Sequence, residues 1–292
     1  MKTQILLILI LCCLSSIKAR IIYDPADSIK IEQLLREGQS SQKQKNHIIF
    51  YGIKFKGCPY VAQTLERTYL KDPKATKEDL IIKTNGFDCT TYVETVLSLV
   101  KTLSDKHATF KDFCRNLKLF RYKNGIMQDY TSRNHYFTSW IDNALNQKLI
   151  SDLYYTEPAA FKAREQKIDF MSKHTHLYPT INGTNHNYKS KIQEEEKRIS
   201  RKIYYIPTDY IKTHSLNFIK DGDIIAFETI KRGLDISHIG FAVRKNDGKL
   251  HLLNASSLYK KVVLDEQSIY QYIKKQKHVI GIRVFRLNSN IK

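Results

Sequence analysis

Cys89 has the residue type and the position that nucleophilic attack by a thiol requires. It follows Asp88 and starts a segment with apolar residues at helical spacing, namely Val93, Val96, Leu97, Val100 and Leu103. A cysteine in the first turn of a helix faces unpaired N–H groups and the positive end of the dipole, which lower the thiol pKa. Asp88 suits the N-cap position, where its charge would oppose the thiolate. Cys89 is therefore a candidate nucleophile, and the alternative is a small buried apolar residue.

His238 is the histidine best placed to act as the base for such a thiol. In the segment 236–243, alternation puts His238, Gly240 and Ala242 on one face of a strand and bulky apolar residues on the other. The small neighbours leave room beside the imidazole. A buried structural histidine fits the same pattern, so both interpretations stay open.

Asn254 is the predicted orienting partner of His238. Residues 246–248 predict a hairpin turn. If all three lie in the loop, two residues face each other across the hairpin when their numbers add up to about 494. Asn254 then lies opposite Gly240 and diagonal to His238 on the same face, within hydrogen-bond reach. His251 falls on the other face in this register. With a two-residue loop, His251 would lie on the same face as His238, but about 20 Å from it along the strand.

These residues need a helix and an antiparallel sheet to position them. The first part of the chain reads as helices, including 28–37 and 90–103. The final third predicts a series of strands at 224–227, 236–244, 250–254, 261–264 and 281–287, with a helix at 268–275. The region from about 106 to 220 reads as mostly helical, and its charge run at 191–201 predicts a solvated helix face. The fold class is therefore α+β.

Seven short motifs follow one another in the chain: GCPY at 57–60, GFDCTTYVE at 86–94, YTSRNHY at 130–136 with Trp140, FMS at 170–172, DGD at 221–223, GLDISHIG at 233–240 and NASS at 254–257. This succession resembles the NlpC-type papain-like cysteine hydrolases of bacterial cell walls, and more specifically their N-acetylmuramoyl-L-alanine amidase-like branch. The resemblance extends from about residue 48 to the C-terminus. It implies one cysteine-hydrolase domain over 20–292, with a papain-like NlpC-type core, a nucleophile helix packed on an antiparallel β-sheet, and a largely helical insertion at about 106–220.

The resemblance also implies roles for individual residues. Cys89 matches the nucleophile and His238 the base, and Asn254 takes the place of a third polar residue that is a histidine in many members. Tyr60 matches a tyrosine whose hydroxyl can help to stabilise the oxyanion, although a half-buried packing role is the alternative. The candidates for binding substrate in the cleft are Asp88, Arg133, His135, Tyr136 and Trp140, of which the last four form a structural cluster in the alternative interpretation.

The implied activity is hydrolysis of the amide between N-acetylmuramic acid and L-alanine in peptidoglycan fragments. The alternatives are a D-glutamyl-diamino acid peptidase of the same superfamily and a non-catalytic basic protein that binds cell wall or nucleic acid. We expect a peptidoglycan or muropeptide substrate, a monomer, and no cofactor, metal or nucleic-acid partner. His174 and His176 lack the further ligands of a metal site, and the basic residues are scattered, not interleaved with aromatics.

The first 19 residues have the order of a secretory signal peptide. Lys2 precedes an apolar run at 5–14, and small residues lead to a cleavage site after Ala19. The run is too short to span a bilayer comfortably. The pair Cys12-Cys13 lacks the preceding small residues of a lipoprotein site. We therefore expect a periplasmic or secreted protein that is not inserted in the membrane after signal removal.

Composition and cysteine count set further bounds. The 292 residues, 42% of them hydrophobic, exclude collagen-like and wholly disordered chains. Loss of the signal leaves 46 basic residues against 29 acidic ones, a net charge of +17 that favours steering towards anionic envelope material. It also leaves three cysteines, Cys58, Cys89 and Cys114, so at least one thiol is unpaired.

Overall fold

The computed structural model describes residues 20–41, 46–66, 76–105, 107–182 and 187–288. The predicted signal peptide at 1–19 lies outside these residues, so its prediction stays a prediction. Among the helices that are described, none is long and apolar enough to cross a membrane.

The first half of the chain is helical, as predicted. The α-helices among its described residues are α1 (Pro25–Ser40), α2 (His47–Lys54), α3 (Cys89–Leu103), α4 (Phe110–Arg121) and α5 (Phe137–Asn146). Helix α3 begins at Cys89 because Asp88 caps it: the Asp88 carboxylate accepts the Thr91 N–H at 2.8 Å, and the Thr91 hydroxyl accepts the Asp88 N–H at 3.1 Å. The predicted N-cap is confirmed. This reciprocal pair fixes where Cys89 sits at the helix start.

The final third forms the antiparallel strands that the sequence predicts. They are β6 (Ile224–Thr229), β7 (Ile236–Arg244), β8 (Leu250–Ser256), β9 (Lys261–Ser268) and β10 (Val279–Leu287), with helix α10 (Ile269–Lys274) between the last two. In the described part of the chain, eight strands form one sheet, with β6 next to both β10 and β7, and β8 next to β9. The fold is thus a mixed α/β structure with an antiparallel sheet.

The region from 106 to 220 contains more helix than strand, as predicted, and includes α4 and α5, but it is not helical throughout. It contains the short helices α6 (Phe170–Lys173), α7 (Pro179–Asn182), α8 (Tyr188–Ile199) and α9 (Thr208–Thr213). It also supplies three strands to the main sheet, β3 (Ile150–Asp152), β4 (Lys162–Gln166) and β5 (Arg201–Pro207). Two of these, β3 and β5, pair with β10. The helical prediction is therefore wrong for these stretches.

The β5 strand is hard to see in the sequence because both of its partners, β4 and β10, are separated from it by other elements of the chain. Ile206 of β5 pairs with Ile282 of β10, and the two strands approach closely at Gly281. A Cβ on Gly281 would lie 2.1 Å from the Ile206 carbonyl oxygen. Only glycine fits this position, and local periodicity does not reveal such a contact. The described residues also form a separate parallel pair of two-residue strands, β1 (Ile21–Ile22) and β2 (Leu80–Ile81).

Two buried clusters lie against the two faces of the sheet. One contains Ile239 and Phe241 of β7 together with apolar residues of α1 to α5, and the Phe241 ring lies 5.9 Å from that of Tyr92 on α3. The other contains Phe227, Ala242 and Leu252 together with residues of α9 and α10. Helix α3 is therefore packed against the antiparallel sheet, with its first residue near β7.

Candidate active site

Cys89 lies where the start of α3 meets strand β7. The Ile239 N–H on β7 and the Thr90 N–H lie against the Cys89 sulfur, and both favour the thiolate by lowering the thiol pKa. Burial has the larger, opposite effect. Together with the Asp88 carboxylate, it raises the pKa of Cys89 to about 12. The N–H group at the helix start therefore lowers this pKa as predicted, and Asp88 opposes it as predicted, but burial outweighs the N–H contribution.

His238 and Asn254 form a hydrogen bond on the same face of the sheet. The distance between His238 Nε2 and Asn254 Oδ1 is 2.8 Å, and both residues are buried. The Asn254 amide donates to the Leu252 carbonyl at 3.3 Å, which orients Oδ1 towards the imidazole. In this arrangement Nε2 carries the proton, so Nδ1 has the lone pair. Nδ1 is therefore the nitrogen of His238 that can accept a proton.

The predicted register of the hairpin is confirmed. The β7–β8 pairs include Phe241 with Leu253 and Val243 with His251, as the sum of 494 requires. A Cβ on Gly240 would lie 2.8 Å from the Asn254 Cβ, so Gly240 provides the space that Asn254 occupies. His251 is held elsewhere, by the Asp265 carbonyl at 3.0 Å and the Asp247 carboxylate.

The surroundings of Cys89 and His238 favour the neutral form of each side chain. Burial lowers the pKa of His238, and the Asn254 hydrogen bond only partly offsets that effect. Since burial also raises the pKa of Cys89, the charged pair of thiolate and imidazolium is disfavoured. A nucleophilic thiol in this environment would have to lose its proton during attack, and would not be a preformed thiolate.

Two tyrosines flank the thiol. Tyr60 is half-buried, and burial together with the nearby Cys89 and Asp88 raises its pKa to about 12, so the phenol keeps its proton. Its backbone is fixed next to the start of α3, where the Val61 N–H donates to the Phe87 carbonyl at 2.9 Å. The sequence analysis missed Tyr272 on α10. Its ring stacks on His238 at 6.1 Å, and proximity to Cys89 is one cause of its raised pKa.

A cleft of about 580 Å³ opens beside Cys89 and His238. Of the residues predicted to bind substrate, Asp88, Arg133, His135 and Tyr136 line it. Arg133 forms ion pairs with Glu66 at 3.0 Å and with Glu78 at 3.3 Å, so its charge is compensated inside the protein. Burial lowers the pKa of His135, whose Nε2 lies 2.7 Å from the Tyr130 carbonyl oxygen. The imidazole is therefore neutral.

Trp140 does not line this cleft. It is 1% exposed and stacks between Phe120, at 5.8 Å, and Phe137, at 5.0 Å. The prediction that Trp140 binds substrate is therefore wrong. Trp140 belongs to a structural cluster, which was the alternative interpretation. The physical reason is that a helical repeat of aromatic residues packs into the core of α4 and α5.

Tyr136 reaches the cleft, but its hydroxyl has a structural partner. The hydroxyl donates to Glu196 of α8 at 2.6 Å and accepts the Met171 N–H at 2.8 Å. Glu196 also accepts the Ser172 N–H at 2.9 Å and is 3% exposed. The charge run at 191–201 is therefore not a solvated face at Glu196, which instead holds α6 in place beside the cleft.

Asp235 is a second residue that the sequence analysis missed as a site residue. Its carboxylate accepts the Thr138 N–H of α5 at 2.7 Å and the Ile236 N–H of β7 at 2.9 Å. These bonds join the start of α5 to the start of the strand that carries His238. Asp235 belongs to the GLDISHIG motif and directly precedes a predicted strand, and this position could have marked it as a site residue.

The described residues contain no group of three or more histidine, cysteine or acidic side chains arranged to hold a metal ion. Cys58, Cys89 and Cys114 are free thiols in the structure. Cys58 lies outside the cleft and donates to the Thr84 carbonyl at 3.3 Å. Cys89 is therefore the thiol that shares the cleft with His238.

The sequence and the fold match known proteins over most of the chain. A structure of an N-acetylmuramoyl-L-alanine amidase from Bacteroides uniformis is 35% identical, has a TM-score of 0.74, and the match covers 83% of this chain and 97% of that one. A Bacteroides fragilis protein, provisionally described as a xylanase, is 37% identical with a TM-score of 0.73, covering 81% of this chain and 98% of that one. A Legionella pneumophila protein shares the fold at 24% identity, with a TM-score of 0.64 and coverage of 89% and 96%. A comparison with curated proteins gives no match.

The family described as N-acetylmuramoyl-L-alanine amidase-like matches residues 51–282. This range contains the capped start of α3, the strand with His238 and the strand with Asn254. It also spans well over half of the 292 residues. The chain therefore belongs to the N-acetylmuramoyl-L-alanine amidase-like family.

Proposed function

We propose that this protein is a cysteine amidase that hydrolyses the amide between N-acetylmuramic acid and L-alanine in peptidoglycan fragments. The observation that carries the proposal is the arrangement of Cys89, His238 and Asn254. A thiol at a helix start lies against the strand residue next to a histidine, and that histidine is oriented by a buried amide. This is the arrangement of nucleophile, base and orienting group that acyl transfer needs.

The reaction begins with proton transfer from the Cys89 thiol to His238 Nδ1. The sulfur attacks the lactyl carbonyl carbon, and the Cys89 N–H with the Tyr60 hydroxyl stabilises the oxyanion. The C–N bond then breaks, and the His238 imidazolium protonates the leaving amine of L-alanine. Water, deprotonated by His238, hydrolyses the thioester, which releases the muramic acid carboxylate and restores the thiol.

The side chains in the cleft favour amide hydrolysis over glycoside hydrolysis. Glycosidases need two available carboxyl groups that flank the bond. Here the Asp88 carboxylate caps α3 and the Asp235 carboxylate accepts two backbone N–H groups. Glu66 is paired with Arg133 at 3.0 Å. The carboxyl groups of the cleft are thus occupied by structural bonds.

In this proposal the protein has a papain-like core, is exported from the cytoplasm and acts as a monomer. An NlpC-type papain-like core is supported by a nucleophile helix packed on an antiparallel sheet with the base on a strand. Export to the periplasm or outside the cell is supported by the signal-like residues 1–19, and by a substrate that lies in the cell envelope. The protein acts as a monomer in this proposal, since the described chain supplies the whole proposed triad.

The test gives the mature protein a defined muramyl peptide and identifies the products by mass spectrometry. We expect N-acetylmuramic acid and an intact peptide that begins with L-alanine. Cys89→Ala abolishes this activity, whereas the matched variant Cys58→Ala keeps it, because Cys58 is a half-buried thiol outside the cleft.

Three results would count against the proposal. A product that ends in D-glutamate assigns the peptidase activity instead. Hydrolysis of xylan by the wild type and equally by the Cys89→Ala variant assigns a glycosidase, which uses two carboxyl groups and no thiol. Full activity of the Cys89→Ala variant removes the cysteine mechanism altogether.

A further inference from the structure

The cleft beside Cys89 offers little to an anionic peptide. Its described lining includes three carboxyl groups, Glu66, Asp88 and Asp235, and one guanidinium, that of Arg133. Arg133 is already paired with two carboxylates. A muropeptide stem carries free carboxylates, which a cleft of this composition repels or leaves unpaired. The carboxylates therefore need a cationic site elsewhere.

A second cavity of about 460 Å³, which we call the side pocket, shares a wall with the cleft. The side pocket is lined by residues from segments 169–174 and 231–234, and Leu234 lines both cavities. Lys231 and Arg232 are exposed at its rim. No carboxylate of the described residues forms an ion pair with either of them. The one acid of the side pocket, Asp169, is paired with Lys173 at 2.7 Å.

Backbone hydrogen bonds tie the loop that carries Lys231 and Arg232 to the start of α6. The Asp169 and Phe170 N–H groups both donate to the Gly233 carbonyl, at 3.2 and 3.1 Å. Gly233 has a φ of +79°, and a Cβ there would lie 2.5 Å from an Asp169 carboxylate oxygen. Only glycine allows this approach. The loop with Lys231 and Arg232 is thus tied to α6, whose other side borders the cleft.

We propose that the side pocket binds a free carboxylate of the peptide stem while the muramyl-alanyl amide lies at Cys89. This inference rests on the proposed function and adds the class of substrate to it: a muropeptide with an acidic stem, such as one with a free D-glutamate carboxylate. The carboxylate pairs with Lys231 and Arg232, and Leu234 forms the apolar wall between this contact and the reacting bond. The contact contributes to binding and takes no part in bond cleavage.

The test compares two charge-reversed double variants on two substrates. The first variant combines Lys231→Glu with Arg232→Glu. The control combines Lys249→Glu with Lys274→Glu, which changes the net charge equally but lies outside both cavities. The substrates are a muramyl tripeptide with free carboxylates and the same tripeptide with its carboxylates amidated. The steady-state kcat and KM are measured for each combination.

We expect the first variant to raise KM for the free-carboxylate substrate about tenfold with kcat unchanged. Its KM for the amidated substrate stays within about twofold of wild type, and so do both KM values of the control variant. An unchanged KM in the first variant overturns the inference. An equal rise in both variants, or with both substrates, also overturns it, since that reports general steering by net charge. Any of these results leaves the Cys89 mechanism standing, because Cys89→Ala tests that separately.

Discussion

Replacing Asn254 by alanine removes the acceptor that orients the His238 imidazole. Asn254 is fully buried, and its Oδ1 lies 2.8 Å from Nε2. The variant leaves a buried N–H without that partner, and the bond becomes stronger when the imidazole is charged. A hydrogen bond to a charged group contributes about 1.5 to 3 kcal/mol. We therefore expect kcat to fall by about 10- to 150-fold.

The same variant also shifts the pH dependence. The Asn254 hydrogen bond raises the pKa of His238, while burial lowers it. Asn254→Ala therefore lowers this pKa further, and the limb in which activity rises with pH moves to lower pH. Asn254→Asp keeps an acceptor oxygen and adds a negative charge, so it raises the pKa and moves the limb to higher pH.

The assay is the initial rate of release of the L-alanyl peptide across the acidic to mildly alkaline range, with wild type, Asn254→Ala and Asn254→Asp. Circular dichroism confirms that each variant folds. If Asn254→Ala keeps the wild-type kcat and the wild-type pH limb, the orienting role of Asn254 is refuted. Shifts of the limb in the same direction for both variants would refute the electrostatic argument.

Three further outcomes follow from the structure. Burial raises the pKa of Cys89 to about 12. We therefore expect the rate of Cys89 alkylation by iodoacetamide, followed by peptide mass spectrometry, to be low near neutral pH and to rise through the alkaline range. Rapid alkylation in acid would show a preformed thiolate and contradict this. In the wild type, Arg121 pairs with the buried Glu94 at 2.8 Å, and Arg121→Ala leaves that carboxylate without its partner. We expect the free energy of unfolding, measured in urea, to fall by about 3 to 5 kcal/mol, and a fall below about 1 kcal/mol would contradict this. Gly240→Ala places a Cβ 2.8 Å from the Leu253 carbonyl oxygen. We therefore expect a lower kcat and a free energy of unfolding in urea that is about 1 to 3 kcal/mol smaller, and wild-type values for both would contradict this.

Local sequence signals were sufficient where the structure depends on neighbours in the chain. The alternation at 236–244 matches β7, and the turn at 246–248 fixes the register with β8. The same register brings Asn254 to His238. The Asp88 cap and the apolar spacing likewise predict α3. In each case the residues that determine the geometry lie within about 20 positions of one another.

Sequence reasoning was insufficient where the partners are distant in the chain. Strand β5 depends on close approach to β10 at Gly281, and Tyr272 reaches His238 from another element. The family resemblance implies Trp140 as a cleft residue, but aromatic stacking places it in the core. The pKa of Cys89 depends on the tertiary packing around the thiol, which a single helix does not reveal.

The most direct test of the central claim is a single-turnover reaction with enzyme in excess over a muramyl peptide, quenched with acid and read by mass spectrometry of the protein. The account predicts a transient thioester of the N-acetylmuramyl group on Cys89, formed while the L-alanyl peptide is released. The adduct maps to the peptide that contains Cys89 and is missing from the Cys89→Ala variant. An adduct that retains L-alanine, an adduct on another residue, or complete peptide release with no adduct at any time point would contradict the account.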